Sequence, residues 1–462
     1  MNIVGDSNRD PGCEEVKGGL AAALAAVCAT AAGATIAAFT IWLLGEGAAL
    51  AVTSGAPATY TVPFAISIFT GTYAVIAIGK LPGFQLDRAG AALLGASLMV
   101  GAGVLSLEDA YRAVDFNTIT LLLGMMIVVA NLRLSGFFRL VSDFAVARAK
   151  HPFILLTTIV MVSGLLSAFL VNDTICLVMT PLVLDLLRRL KRYPLPYLLA
   201  IPMASNVGSV ATITGNPQNM MIGSFSQIPY GVFAGALWPV ALVGLLLTII
   251  FVAIAYRDEF FTSAPLPEIA LTPTRYHRAL ILKAVVVTVL MMLFFFAGQP
   301  VAKVAIVGGA FLLLTRKVKS DKIYREIDWP LLLMFVGLFI VVAGLERAVI
   351  TSDLVAAVGR LDLGAPIVLS AVTAALSNIV SNVPAVLVLK PFIAGAEDPQ
   401  RAWLVVAMAA TLAGNFTLVG SVANLIVAQK AKTSGVDFAF WPYFRIGAPL
   451  TVATILFGVW WL

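Results

Sequence analysis

Apolar segments long enough to cross a bilayer recur from Leu20 to Leu462. A hydrocarbon core about 30 Å thick takes roughly 20 residues of helix, so a chain built of such segments folds as an all-α polytopic membrane protein. Composition agrees. Charged residues make up 12% and hydrophobic ones 60% of the 462 positions, with a mean hydropathy of +0.98. Soluble domains carry about 25% charged residues, which excludes an ordinary soluble enzyme, and a chain this apolar is not disordered. The three cysteines, Cys13, Cys28 and Cys176, form no disulfide framework, zinc spacing or CxxC. His151 and His277 fall at expected helix ends, so no His-rich metal or haem site is expected. The formal charge of +6 comes from short loops and reads as topology rather than nucleic-acid binding.

Taken along the chain, residues 1–19 carry four acids against Arg9 and Lys17, unlike the basic start of a cleaved signal peptide. Leu20–Leu44 is therefore read as a retained span, followed by apolar segments at 61–79, 90–107 and 116–131. Arg133–Lys150 mixes charges with FF, LV and FAV and reads as an amphipathic helix at the interface. Pro152–Leu187 is apolar but interrupted by Asn172-Asp173-Thr174, with the basic run Arg188–Arg192 behind it. Two short halves around a polar centre suit a re-entrant hairpin whose tip stops at mid-membrane. Pro194–Phe225 is broken in turn by GSVATITGNPQN, Gly208–Asn219, which suggests an unwound helix lining a cavity. A span at 230–255, a polar linker at 256–278 and spans at 279–297 and 300–315 follow, ahead of the basic loop RKVKSDKIYR.

The remainder repeats the middle. Asn382 answers Asn172 at an offset of 210 (382 − 172), and the same offset joins Ser352-Asp353 to Ser142-Asp143, Pro391 to Pro181 and Pro449 to Pro239. A second break, GNFTLVGSVAN at Gly414–Asn424, sets Asn415 against Asn206, and Asp328-Trp329 answers Asp115-Phe116. The expected organisation is a cytoplasmic N-terminus (1–19), N-terminal spans (20–114), repeat 1 (115–255), a cytoplasmic linker (256–278), two further spans (279–327) and repeat 2 (328–462). Placing RRLKR and RKVKSDKIYR in the cytoplasm leaves only Arg112, Lys303, Arg347, Arg360, Lys390 and Arg401 of the 30 basic residues on the outer side or in its hairpin. That bias predicts eleven spans and two hairpins, with the N-terminus inside and the C-terminus outside. The first hairpin then opens inward and the second outward, an inverted repeat of the kind secondary transporters build around a midplane site. The expected location is the inner (plasma) membrane.

Four polar elements are expected to meet near the midplane: the tips Asn172-Asp173-Thr174 and Ser381-Asn382, and the breaks Asn206–Asn219 and Asn415–Asn424. Helix N-termini aimed at such a centre favour oxyanions, while carbonyls and carboxamides suit cations or hydroxyls. The alternative is that these residues only cap broken helices. Asp173 is the one acid at either tip. A carboxylate at membrane depth is expensive, so it is either the proton-coupling group or a permanent cap of the hairpin's second half. Lys390 is a candidate charge partner for Asp173, or else it snorkels outward. Cys176 alone makes no trithiolate site and reads as a small buried side chain. GNPQN lacks the Lys-Ser/Thr of a phosphate loop.

SAFLVNDTICLVMTPLVL, Ser167–Leu184, followed by ASNVGSVATITGNPQNMMIG, Ala204–Gly223, resembles the ion transporter superfamily. That group holds arsenite permeases, sodium/proton antiporters, citrate transporters and sodium-coupled dicarboxylate symporters. The nearest likeness is to the branch with plant silicon efflux transporters and bacterial anion permeases. The resemblance runs from about Asp115 to Pro449. It implies an elevator-type carrier, with a scaffold holding a homodimer and a transport domain carrying both hairpins. It also places the substrate and ion site on Asn172, Asp173, Thr174, Asn206, Gly215, Asn216, Asn219, Ser381, Asn382, Asn415 and Asn424. The tips depart from the Ser-Asn-Thr usual in sodium-coupled carboxylate carriers, reading Val-Asn-Asp and Ser-Asn-Val, and Asn216 stands where antiporters typically carry an acid.

The resulting expectation is proton-coupled efflux of a small oxyanion or neutral hydroxy acid such as arsenite or silicic acid, without cofactor or bound metal. Sodium-driven uptake of di- or tricarboxylates is the alternative, with Na+ as the coupling ion. An intramembrane enzyme would need a metal site, paired aspartates or a Ser–Lys pair in facing spans, and none is evident.

Overall fold

The structure, a computed structural model, describes residues 58–78, 86–148, 151–262, 266, 277–314, 318–349, 363–393 and 395–462. The expected span Leu20–Leu44, most of the linker, and Ser352-Asp353 and Arg360 lie outside the described residues. Every regular element among the described residues is a helix. In chain order these are α1 (Ala58–Ile78), α2 (Arg88–Gly101), α3 (Leu107–Ala113), α4 (Phe116–Ser135), α5 (Phe137–Arg148), α6 (Pro152–Phe169), α7 (Asn172–Arg189), α8 (Leu195–Ser209), α9 (Pro217–Ser226), α10 (Tyr230–Ala255), α11 (Arg257–Phe260), α12 (Arg278–Phe296), α13 (Val301–Leu313), α14 (Ser320–Tyr324), α15 (Trp329–Val349), α16 (Pro366–Val380), α17 (Asn382–Ile393), α18 (Pro399–Ala413), α19 (Val422–Thr433) and α20 (Phe440–Trp461). Six of them, α4, α6, α10, α12, α15 and α20, are long and apolar enough to cross a bilayer. The chain is thus a multi-pass membrane protein.

The amphipathic helix starts later than the charge pattern suggested. Arg133 belongs to α4, which Gly136 ends in the left-handed conformation (φ 87°), its N–H reaching the carbonyls of Leu132 and Arg133. Only glycine adopts that conformation cheaply, so the chain turns there and α5 begins at Phe137.

The described residues fall into two compact units: those up to Val114 together with those in Leu333–Thr351, and those in Asp115–Leu332 and Ser352–Leu462. In the first unit α2 crosses α15 so closely that a Cβ on Gly337 would stand 2.5 Å from the Ala92 carbonyl carbon. In the second, α4 crosses α13, and a Cβ on Gly124 would stand 2.5 Å from the Ala305 carbonyl carbon. Ala92 and Ala305 are 213 residues apart (305 − 92), as are Gly124 and Gly337 (337 − 124). The repeat therefore extends upstream of Asp115 and Asp328, and each half lends a helix to a crossing with the other. Small residues are what let membrane helices approach this closely.

The second unit holds both hairpins. In the first, α6 is started by the His151 ring, which accepts the Phe153 N–H at 3.2 Å, and the chain turns through extended Leu170 and Val171 into α7. The segment after α10 grips both feet of this hairpin. The His151 ring bonds the Thr262 carbonyl at 2.8 Å, and Arg192 and Tyr197 both donate to Glu259 Oε1, at 2.8 and 2.9 Å. In the second hairpin α16 passes to α17 through Ser381, whose φ of 80° and ψ of 160° lie in a region glycine normally occupies. Such a residue stores on the order of 1–3 kcal/mol of strain. Its counterpart Val171 is relaxed, at φ −57°.

Candidate functional site

Both broken helices close on themselves in one way. At the first break α8 ends at Ser209, a short 3-10 turn spans Ile213–Gly215, and α9 starts behind Asn216, whose Oδ1 accepts the Asn219 N–H at 2.8 Å. The Asn219 amide then folds back to the carbonyls of Ser209 (3.1 Å) and Thr212 (3.0 Å). At the second break Ser421 caps α19, and the Asn424 amide folds back to the carbonyls of Gly414 (2.7 Å) and Thr417 (3.0 Å). Each asparagine reaches the tenth and the seventh residue before it. This satisfies carbonyls that the unwinding frees and that hydrocarbon leaves unpaired. Gly215 permits the first closure, since a Cβ there would stand 2.2 Å from the Ser209 oxygen.

Between the breaks lies a buried chain of carboxamides. Asn206 Nδ2 donates to Asn415 Oδ1 at 2.9 Å and to Asn424 Oδ1 at 3.1 Å. Its Oδ1 accepts from Asn172 Nδ2 at 3.0 Å and from the Ser421 hydroxyl at 3.2 Å. Asn206 and Asn415 are repeat equivalents that bond directly to one another, as residues near a local two-fold axis do. Tyr443 donates to Asn415 Oδ1 at 3.3 Å, and Asn415 Nδ2 donates to the Met203 carbonyl at 3.0 Å. The first tip is bound in by Ser205, which donates to the Asn172 carbonyl at 3.0 Å and also meets the Ser167 hydroxyl. Asn172 Oδ1 is buried with no hydrogen-bond partner among the described residues.

Three of the four expected elements therefore meet: the first tip through Asn172, and both breaks through Asn206, Asn415 and Asn424. The second tip reaches the assembly differently. Asn382 Oδ1 accepts from the Ser377 hydroxyl at 2.6 Å, while Asn378 Nδ2 donates to the Ala413 carbonyl at 3.0 Å and its Oδ1 accepts from Thr417 at 3.2 Å. Asn216 and Asn219 also take part in a separate cluster around Thr411 Oγ1, which accepts from Asn216 Nδ2 and Gln218 Nε2, both at 3.1 Å.

Asp173 and Thr174 are half-buried in the first turn of α7, where a carboxylate complements the positive helix end. Lys390 places its ammonium 4.7 Å above the Phe225 ring, a cation–π contact that the charge pattern alone did not suggest. Cys176 is free and fully buried.

The two breaks differ in exposure. Every residue of Gly208–Asn219 is buried. At the second break Phe416–Leu418 are half-buried and Val419 is 62% exposed, and at the neighbouring tip Ile379 is 65% exposed. Ser205, Thr411, Ser377, Asn378, Ser421 and Tyr443 all contribute without having been singled out from sequence. A signal for one of them was present: Ser377 stands 210 residues after Ser167 (377 − 167).

Residues 73–413 match the citrate transporter family, and the chain belongs to it. An uncharacterized transporter of Mycobacterium tuberculosis is 31% identical over 85% of this chain and 96% of its own length. A silicon efflux transporter of Oryza sativa is 28% identical over 85% of this chain and 96% of its own. Among solved structures, the YdaH transporter of Alcanivorax borkumensis superposes with a TM-score of 0.53 at 15% identity, covering 87% of this chain and 96% of that one. The protein is a membrane transporter of an ion or small molecule, and not an enzyme.

Proposed function

We propose that this member of the citrate transporter family is a secondary active carrier for a small neutral hydroxy acid or oxyanion of the arsenite or silicic acid type, driven by proton-coupled efflux. The observation that carries the reading is the chemistry of the centre. Its hydrogen-bonded side chains are carboxamides and hydroxyls, and one buried acceptor, Asn172 Oδ1, has no partner among the described residues. Arsenous and silicic acids are uncharged at neutral pH and present several O–H donors together with oxygen acceptors. Asparagine side chains match both. A di- or tricarboxylate brings several negative charges, which call for bound sodium or for guanidinium and ammonium partners.

Asp173, beside Asn172 at the start of α7, takes and releases the coupled proton in this reading. Carriage proceeds by an elevator movement in a homodimer of the plasma membrane, with the N-terminus inside and the C-terminus outside. The family's own description names citrate, so sodium-coupled carboxylate symport is the reading to set against it.

Flux into proteoliposomes under an imposed pH gradient, without sodium, tests the choice on arsenite, silicic acid, citrate and succinate. The expected result is arsenite or silicic acid movement that follows the gradient. Asp173→Asn abolishes that coupling while substrate exchange at equal pH persists. Carboxylate flux that appears only with sodium overturns the substrate assignment. Gradient-driven flux that survives Asp173→Asn intact removes the coupling role.

A further inference from the structure

The two hairpins repeat one another residue for residue, and they differ in how their buried faces are made. On α16 the buried stripe runs Leu369, Ser370, Thr373, Ser377, at the helical spacing that puts residues on one face. Its hydroxyls line up from the foot of the hairpin toward the tip, ending at Ser377, which donates to Asn382 Oδ1 at 2.6 Å. Helix α16 packs against α18, whose Ala410 carbonyl also lies 3.0 Å from the Ser377 hydroxyl. Ser370 Oγ and Thr373 Oγ1 are fully buried and have no hydrogen-bond partner among the described residues. Buried hydroxyls are rarely left so, and a serine or threonine in a membrane helix ordinarily bonds the carbonyl one turn back.

At the foot of the same hairpin is a cavity of about 470 Å³, bordered by Leu369, Ile393, Glu397, Asp398, Arg401 and Val405 among others. Its wall of carboxylates, a guanidinium and apolar groups gives it the polar partners water requires. Leu369, at the cavity, is eight residues from Ser377, about 12 Å along a helix at 1.5 Å per residue.

The first hairpin supplies the contrast. The offset of 210 that joins Ser377 to Ser167 also joins Thr373 to Ser163 and Ser370 to Val160. Ser163 is likewise buried without a partner among the described residues, but Val160, nearer the foot, is apolar and fully buried. The polar stripe stops one turn short in the first hairpin and runs to the foot in the second.

We propose that a file of water enters the second hairpin from the cavity at its foot and follows Ser370, Thr373 and Ser377 to Asn382. The tip of this hairpin is thereby hydrated through its own interior, whereas Val160 closes the equivalent route in the first. The file satisfies the two unpartnered hydroxyls, and it supplies water or protons to the second tip independently of whichever ion couples transport.

The test is thiol protection by Ag+, an ion close to water in size, in detergent-solubilised protein. Cysteines are introduced as Ser370→Cys, Thr373→Cys, Leu369→Cys and Val160→Cys, and protection is read peptide by peptide by mass spectrometry, so that the native cysteines stay in place. Serine and threonine differ little from cysteine in size, and a single symmetric size-exclusion peak qualifies each variant. Cysteines at 370 and 373 are expected to be protected within about tenfold of the rate at 369, and the one at 160 more than about a hundredfold slower, at the rate of local opening. Protection at 370 and 373 as slow as at 160 overturns the proposal. Protection at 370 but not at 373 overturns it too, since the file would stop short of the tip. If one of the two fails to fold, the other decides against the same controls.

Discussion

Replacing Asn206 with leucine removes the polar groups that tie the first tip to both breaks while keeping the side chain's branched heavy-atom skeleton. Four hydrogen bonds are lost, to Asn172, Asn415, Asn424 and Ser421. Not all four partners are stranded. Asn415 Oδ1 keeps the Tyr443 hydroxyl, and the Ser421 oxygen still accepts the Ala423 N–H. Asn424 Oδ1 and the Asn172 side-chain amide nitrogen are left without a partner among the described residues. At about 0.6 kcal/mol for a side-chain hydrogen bond inside a membrane protein, the four bonds give about 2.4 kcal/mol. Counting instead about 1–3 kcal/mol for each stranded buried group gives about 2–6 kcal/mol. The two routes overlap between about 2 and 3 kcal/mol. Reversible unfolding in mixed micelles, titrated with sodium dodecyl sulfate and followed by tryptophan fluorescence, measures the difference. A loss below about 1 kcal/mol would refute the reasoning, because it would mean that the carboxamide chain is not a continuous buried structure.

Other perturbations read different parts of the fold. Gly208→Ala places a Cβ 2.1 Å from the Gly164 carbonyl oxygen, a backbone atom that cannot swing aside, whereas Gly235→Ala meets nothing within 4 Å; the first should abolish a monodisperse size-exclusion peak and the second preserve it. Glu259→Gln leaves Arg192, of which 20% is exposed, without its carboxylate partner. A loss of about 1–3 kcal/mol in the same micelle titration is expected, short of that for a fully buried pair. Asp109 is held below the usual carboxylate range by its hydrogen bond with Ser106 and by Arg347. A depressed folded value contributes stability at higher pH that fades as pH falls through it, so Asp109→Asn should flatten the acid limb of a stability–pH curve. An unchanged acid limb would show that the pair is ornamental.

What the sequence made legible was the punctuation of the apolar text. Gly208–Asn219 and Gly414–Asn424 stood out because glycine, proline and asparagine do not belong in a lipid-facing helix, and both are breaks in the structure. The correspondence of Asn206 with Asn415 survived because α8 and α18 lead into the breaks without insertion. Beyond the breaks it was lost. Ser421 and Asn424 answer Asn216 and Asn219 at an offset of 205 (424 − 219), since the second loop is four residues shorter, and a search at one fixed offset passes over them. The hydroxyls were harder still. A lone serine or threonine in an apolar segment is ordinary, and only the fold reveals that Ser370, Thr373 and Ser377 share the buried face of α16. Ser381 gave no warning of its backbone either, because the strain is imposed by the hairpin around it.

The way each break is sewn shut bears on motion. Asn219 and Asn424 satisfy freed carbonyls at most ten residues before them in the chain, so no water and no neighbouring helix is needed to keep those groups paired. A broken helix that relied on solvent for its loose ends would have to strip that solvent on entering hydrocarbon, at several kcal/mol per group. These two carry their pairing as luggage. In the elevator movement proposed above, carbonyls paired in this way have no solvent to strip, so the two breaks add no desolvation cost of their own.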